Sequence, residues 1–230
     1  MRQQIRQLHM FLKRHSFYAL AFGSALTLGL LAARIVRYDR LSLVFLVWNL
    51  MLAWVPYLAS LWAVASQRRR PQAWWLALPA GALWLLFFPN ALYLVTDLVH
   101  LRERPPVPLW YDIGLLTTFV LNGCWLAVVS LHHMQELVRR MAGALVSWLF
   151  VLAASGLSGL GVYMGRVLRW NSWDVLLEPR AVLADAIGPL LNPRGHVPPL
   201  ALSAVFTAVL LICYAMYLAA YHGGRMQEER

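Results

Sequence analysis

The chain has 230 residues, of which 60% are hydrophobic and 13% charged, with a mean hydropathy of +0.58. A soluble domain carries roughly 25% charged residues, so this chain cannot cover a water-facing surface and a soluble globular class is excluded. Counts of 14 Gly, 12 Pro and 2 Cys exclude a collagen-like repeat, a disordered chain and a disulfide scaffold. The formal charge is +10, and Lys13 is the one lysine among 20 basic residues. The arginines stand at the ends of apolar runs, where they meet lipid headgroups. A nucleic-acid partner needs a water-exposed basic stripe instead, so none is expected. Cys124 and Cys213 fall inside apolar segments and read as small buried hydrophobes.

A spanning helix needs about 20 mostly apolar residues. Six runs qualify: Ser16–Ala33, Leu41–Ser66, Ala73–Val99, Trp110–Leu131, Met141–Gly165 and Pro198–Tyr221. The first is longer than a secretory signal core of roughly 7–15 residues. Arg34 and Arg37 stand where a cleavage site belongs, so it reads as an uncleaved helix. No other stretch suffices for a soluble domain, and no internal repeat is visible. The expectation is one all-α transmembrane bundle over residues 1–230, with an outer loop at 166–197 lying over it as an interfacial cap.

Six crossings put both termini on one side. That side carries eleven basic residues: Arg2, Arg6, Lys13, Arg14, Arg68, Arg69, Arg70, Arg139, Arg140, Arg225 and Arg230. The opposite loops carry nine: Arg34, Arg37, Arg40, Arg102, Arg104, Arg166, Arg169, Arg180 and Arg194. Cytoplasmic loops hold the excess of Lys and Arg, so both termini are expected in the cytoplasm.

The third run changes character at Pro89. Asn90, Tyr93, Asp97, His100 and Arg104 follow at spacings of three and four, which places them on one helical face. Pro89 removes an internal hydrogen bond, so a break is expected just below this stripe. The loop His100–Leu109 holds Pro105, Pro106 and Pro108 and is expected to be extended and stiff. Trp110, Tyr111 and Asp112 open the fourth run. The fifth leads into Tyr163, Arg166, Arg169, Trp170, Asn171, Ser172, Trp173 and Asp174 at the same outer region. Deeper, Asn49, Asn90 and Asn122 lie at similar depth on three helices and invite one shared polar network, either as packing glue or as the lining of a path. Gly161 and Gly165 form a G-x-x-x-G that suits close helix packing, within the bundle or in an oligomer.

The segment Phe88-Pro89-Asn90-Ala91-Leu92-Tyr93-Leu94-Val95-Thr96-Asp97-Leu98, with Trp110-Tyr111-Asp112 and Gly165-Arg166-Val167-Leu168-Arg169-Trp170-Asn171-Ser172-Trp173-Asp174, resembles the bacterial membrane-protein family called domain of unknown function 1361. The likeness runs from about the second helix to the sixth. It implies a multi-pass bacterial membrane protein and assigns no activity; the expected location is the inner membrane.

Three uses of the outer cluster remain open. The charges can simply pair, because intramembrane charge needs a partner, and the aromatic residues can be interface anchors. The cluster can be an enzyme site, with Asp97, His100 and Asp112 (or Asp174) holding a divalent cation. In a metal-free variant His100 is a general base oriented by Asp97. Arg166 and Arg169 would then clamp an anionic lipid headgroup, with Tyr93, Trp170, Asn171, Trp173 and Asp174 completing the contact. The third use is binding or transport of a small solute, along a path lined by Asn49, Asn90 and Asn122, with Asp97 carrying a proton and a partner subunit or second copy completing the bundle. A transporter needs polar groups at the inner end too, whereas an enzyme needs only an outer pocket. Polar residues thin toward the inner half of the sequence pattern, which leans to the enzyme or to a headgroup binder.

Overall fold

A computed structural model describes residues 2–69, 72, 74–192, 195 and 197–228. The expected span start Ala73 and the basic residues Arg70, Arg194 and Arg230 lie outside the described residues. The architecture is all-α: α1 (Arg2–Arg14), α2 (Phe17–Tyr38), α3 (Phe45–Arg69), α4 (Leu78–Thr96), α5 (Leu109–Tyr163), α6 (Asp174–Leu177), α7 (Pro179–Leu191) and α8 (Val197–Glu228). Short 3-10 turns at Trp74–Ala77 and Asp97–His100 flank α4, and a π turn at Met164–Leu168 extends α5. No β-strand occurs among the described residues.

Five helical segments are long and apolar enough to cross a membrane: Phe17–Tyr38, Phe45–Arg69, Trp75–His100, Leu109–Leu168 and Val197–Gly223. They are apolar on both sides. Leu46, Phe88, Leu92, Phe119 and Leu126 are fully buried, while Phe22, Trp48, Leu145, Leu149 and Met216 face outward. An exterior of this kind matches lipid, because lipid tails are as apolar as the core they cover.

The fourth and fifth expected spans are one helix by hydrogen bonding, and the residues 132–140 expected between them stay helical. A straight 55-residue rod would be about 80 Å long at the standard rise. Yet Asp112 at its start and Arg166 just past its end both reach the segment 96–104, through Arg104, Asp97 and His100. The chain therefore reverses, and it does so at Gly143, whose φ of 87° and ψ of 176° are non-helical. A side chain there would be strained, which is why a glycine marks the turn.

Two further expectations change. The helix runs unbroken through Pro89 from Leu78 to Thr96, and its regular pattern gives way only at the 3-10 turn Asp97–His100. Pro89 instead fills the notch at Gly161, where an added Cβ would lie 2.5 Å from the proline Cγ. The G-x-x-x-G thus serves packing inside the bundle, with Gly165 against Tyr93. The proline-rich loop is a tight turn rather than an extended strap. Val107 N donates to Arg104 O at 2.9 Å, and the Pro105–Pro106 peptide is cis. The loop 166–197 forms α6 and α7, and Val182 packs on Leu160, Tyr163 and Met164.

Candidate functional site

Two polar regions sit at opposite ends of the helices. The first is where the sequence pointed. Asp97 is fully buried and accepts from Asn49 Nδ2 at 2.8 Å and from Arg166 Nη1 at 3.4 Å. Arg166 Nη2 also donates to Thr96 O at 3.2 Å and reaches His100 Nε2 at 3.0 Å. A guanidinium only donates, so His100 Nε2 is an acceptor and its lone pair is occupied. The Arg166 guanidinium lies 5.5 Å from the Tyr93 ring centroid, and Tyr93 OH donates to Gly165 O at 3.3 Å.

Asp112 belongs to a separate pair. Arg34 grips it with a fork, Nε to Oδ1 at 2.7 Å and Nη2 to Oδ2 at 3.1 Å, and Arg104 adds Nη1 to Oδ2 at 3.5 Å. Arg34 is itself fully buried and donates to Arg40 O and Ser42 Oγ. Arg104 Nη2 donates to His100 O at 2.7 Å, which ties the two pairs together. Helices α2, α4 and α5 are thereby stitched at one end.

Several expected members stand elsewhere. Asp97, His100 and Asp112 do not converge, and among the described residues no group of three His, Cys, Asp or Glu is placed to hold a metal ion. The donor set does not fit a divalent cation, since arginines occupy both carboxylates. Arg169 takes no part in the Asp97 pair and has a left-handed backbone, with a φ of 65°. Asp174 accepts from Asn171 N and Nδ2 within its own turn, Trp170 Nε1 donates to Asp185 at 2.8 Å, and Trp173 is exposed. The three asparagines form no single network. Asn49 serves Asp97, Asn90 donates to Ser172 Oγ at 2.9 Å, and Asn122 pairs with Ser24 and Thr27 of α2.

The second region lies at the other end and was not anticipated. A cavity of about 970 Å³ opens there among Arg14, His15, Arg68, His133, Glu136 and Arg140, with Tyr217 and Tyr221 along one wall. A second cavity of about 420 Å³ adjoins it and shares His132, Glu136, Arg140 and Tyr221. His133 is buried; its Nε2 is 2.8 Å from His15 Nδ1 and its Nδ1 is 2.9 Å from Ser60 Oγ. Tyr57 OH donates to His15 O at 2.8 Å, and Tyr214 OH donates to Gln135. Burial and the charges of Arg68 and Arg14 push the His15 imidazole down to about 4. His15 reaches this place because Ser16 takes a left-handed conformation, with a φ of 62°, between α1 and α2.

A family model described as Protein of unknown function (DUF1361) matches residues 48–217. The chain belongs to this family. The match takes in Asn49, Asp97, Asp112 and Arg166 at one end and Ser60, His133, Glu136 and Arg140 at the other. It leaves out Arg34, Arg14 and His15. None of the curated proteins and none of the solved structures matches this DUF1361 chain. At the charged end arginines engage both carboxylates and the His100 ring nitrogen, while Arg104 Nε is buried without a partner; the arrangement is suited to holding helices together. The histidine end has room, water access and donors to spare, which are the attributes of a binding site.

Proposed function

We propose that this protein spans a bacterial inner membrane six times, with both termini cytoplasmic, and admits a solute into the histidine-lined cavity from the cytoplasmic side. The two arms of α5 supply the fourth and fifth crossings. The charge-paired end forms a clasp that closes the periplasmic face. The observation that carries this reading is the roughly 970 Å³ cavity at the end of the bundle opposite the clasp. An outer-facing enzyme does not call for such a cavity, whereas a solute-handling protein does. Between the two ends lie the fully buried Leu92, Phe119 and Leu126 and the satisfied Asn122 cluster, which suit a closed state open to one side. Reporter fusions after Arg70, Arg140 and Arg230 are expected to read cytoplasmic, and one after Pro106 periplasmic. Inverted signals would turn the cavity outward and overturn the reading.

One observation favours a second reading of the clasp as a contact for an anionic lipid headgroup. The Arg166 side chain is 24% exposed and keeps donors that Asp97, Thr96 and His100 do not use. On this reading Arg166→Lys, which keeps the charge but loses the fork, abolishes the phenotype of the intact protein at normal expression. On the clasp reading it weakens the fold slightly and leaves function in place.

A further inference from the structure

The hydrogen bonds in the cavity fix a direction. Ser60 Oγ donates to Tyr57 O at 2.7 Å, and a hydroxyl has one proton. His133 Nδ1 must therefore carry hydrogen and donate to Ser60 Oγ, leaving His133 Nε2 as an acceptor. His15 Nδ1 then donates to His133 Nε2. What remains is His15 Nε2, a bare lone pair on a neutral ring, buried and without a hydrogen-bond partner. A buried acceptor left unmatched is costly, and it sits beside charges that repel a second proton.

Those charges are themselves unmatched. Arg140 pairs with Glu136 at 3.1 Å. Arg14 and Arg68 pair with no carboxylate among the described residues, and Arg68 rests over the Phe11 ring at 5.2 Å. The titratable and charged groups around His15 are thus Arg14 on α1, Tyr57 and Arg68 on α3, His132, His133, Glu136 and Arg140 on α5, and Tyr217 and Tyr221 on α8. Two guanidiniums without a carboxylate converge on this space, with the His15 ring in its wall and the ring's Nε2 shielded just behind that surface.

Resting on the inward-open reading above, we propose that the cavity binds a tetrahedral oxyanion between Arg14, Arg68 and His15, either free or as the phosphodiester of a lipid headgroup, and that His15 Nε2 takes up one proton from water as it binds. Guanidinium forks match the oxygens of such an anion. Its charge offsets those of Arg14 and Arg68, so the ring can protonate, and a small shift of the ring then brings the new N–H from its shielded position to the ligand. Val64, Val129, Leu137 and Met141 line the rest of the cavity and suit an acyl or glycerol portion.

The test is calorimetric titration of the full chain in neutral detergent with two probes, sodium sulfate and dioctanoyl phosphatidylglycerol. Both keep their charge between pH 5.5 and 7.5. At least one is expected to bind, with affinity rising up to about tenfold for each unit the pH falls. A series of buffers with different ionisation heats should report about one proton taken up. Arg68→Gln and Arg14→Gln should each weaken binding at least about tenfold, the loss expected of a charged hydrogen bond. Arg14 is exposed at a helix end, so that variant keeps its packing. His15→Gln should retain binding at pH 7.5 and lose the pH dependence. Sulfate binding alone identifies a free oxyanion, and lipid binding alone a headgroup. Binding of neither probe, wild-type affinity in both arginine variants, or binding without proton uptake overturns the proposal. Such a failure with reporter signals as expected would leave the inward-open reading standing, and inverted signals with intact binding would do the reverse.

Discussion

The two ends of this bundle handle charge in opposite ways. At the clasp, Asp97 and Asp112 are buried and answered by Asn49, Arg166, Arg34 and Arg104. At the cavity, Arg14, Arg68 and Arg140 face the single carboxylate of Glu136, which pairs with Arg140 alone, and a histidine nitrogen is buried without a partner, as is Arg104 Nε at the clasp. A pair of opposite charges removed from water together can fix helix register while adding little net stability. Charge gathered without its complement around an accessible space is held ready for something that arrives. Polar residues in a membrane protein therefore have to be sorted by what answers them, and their presence alone assigns no role.

The largest expected effect separates the ends by stability. Asp112→Ala leaves Arg34, with 0% of its side chain exposed, as an uncompensated buried cation, which costs about 3–5 kcal/mol. Glu136→Gln breaks only the Arg140 pair, whose side chains are 63% and 40% exposed, and such a pair contributes about 0–1 kcal/mol. Unfolding of both variants in detergent–denaturant mixtures checks the contrast, and similar losses would erase the distinction between clasp and cavity.

A smaller effect comes from acid. His15 has its pKa lowered to about 4 in the folded protein against an ordinary 6.5. The unfolded chain thus binds the proton first. The contribution of neutral His15 is complete above about pH 6.5 and is lost as the pH falls toward 4. Melting of the wild type should decline across that window, and His15→Gln should decline less. Equal slopes would show that the imidazole is not held neutral by its neighbours.

The clasp was legible because an aspartate or an asparagine inside an apolar run is an anomaly that spacing can place. Asp97 and Arg166 met as two helices ending at the same face must. Arg34 was not recognised as the partner of Asp112, because an arginine just past an apolar run reads as an ordinary headgroup anchor, and nothing local tells that it turns inward. The cavity was hidden for a related reason. His132, His133, Glu136 and Arg140 fall in a polar stretch between two apolar runs, which looks like a loop. The helix continues through them to Gly143, so they project from a rigid wall toward His15 and Arg68. The proline break failed as an expectation because Gly161 opens a notch for the Pro89 ring, a long-range accommodation that no local rule contains.

On the proposed reading, water and solutes enter at the cavity end and not at the clasp. With Cys124 and Cys213 replaced by alanine, Glu136→Cys and Thr96→Cys can be labelled with a membrane-impermeant maleimide in oriented vesicles. Glu136→Cys is expected to react readily in inside-out vesicles and to be protected in right-side-out ones. Thr96→Cys, whose parent side chain is buried beside Asp97 and Arg166, should stay unlabelled in both. Rapid labelling of Thr96→Cys from the outside, with Glu136→Cys protected from the inside, would contradict it.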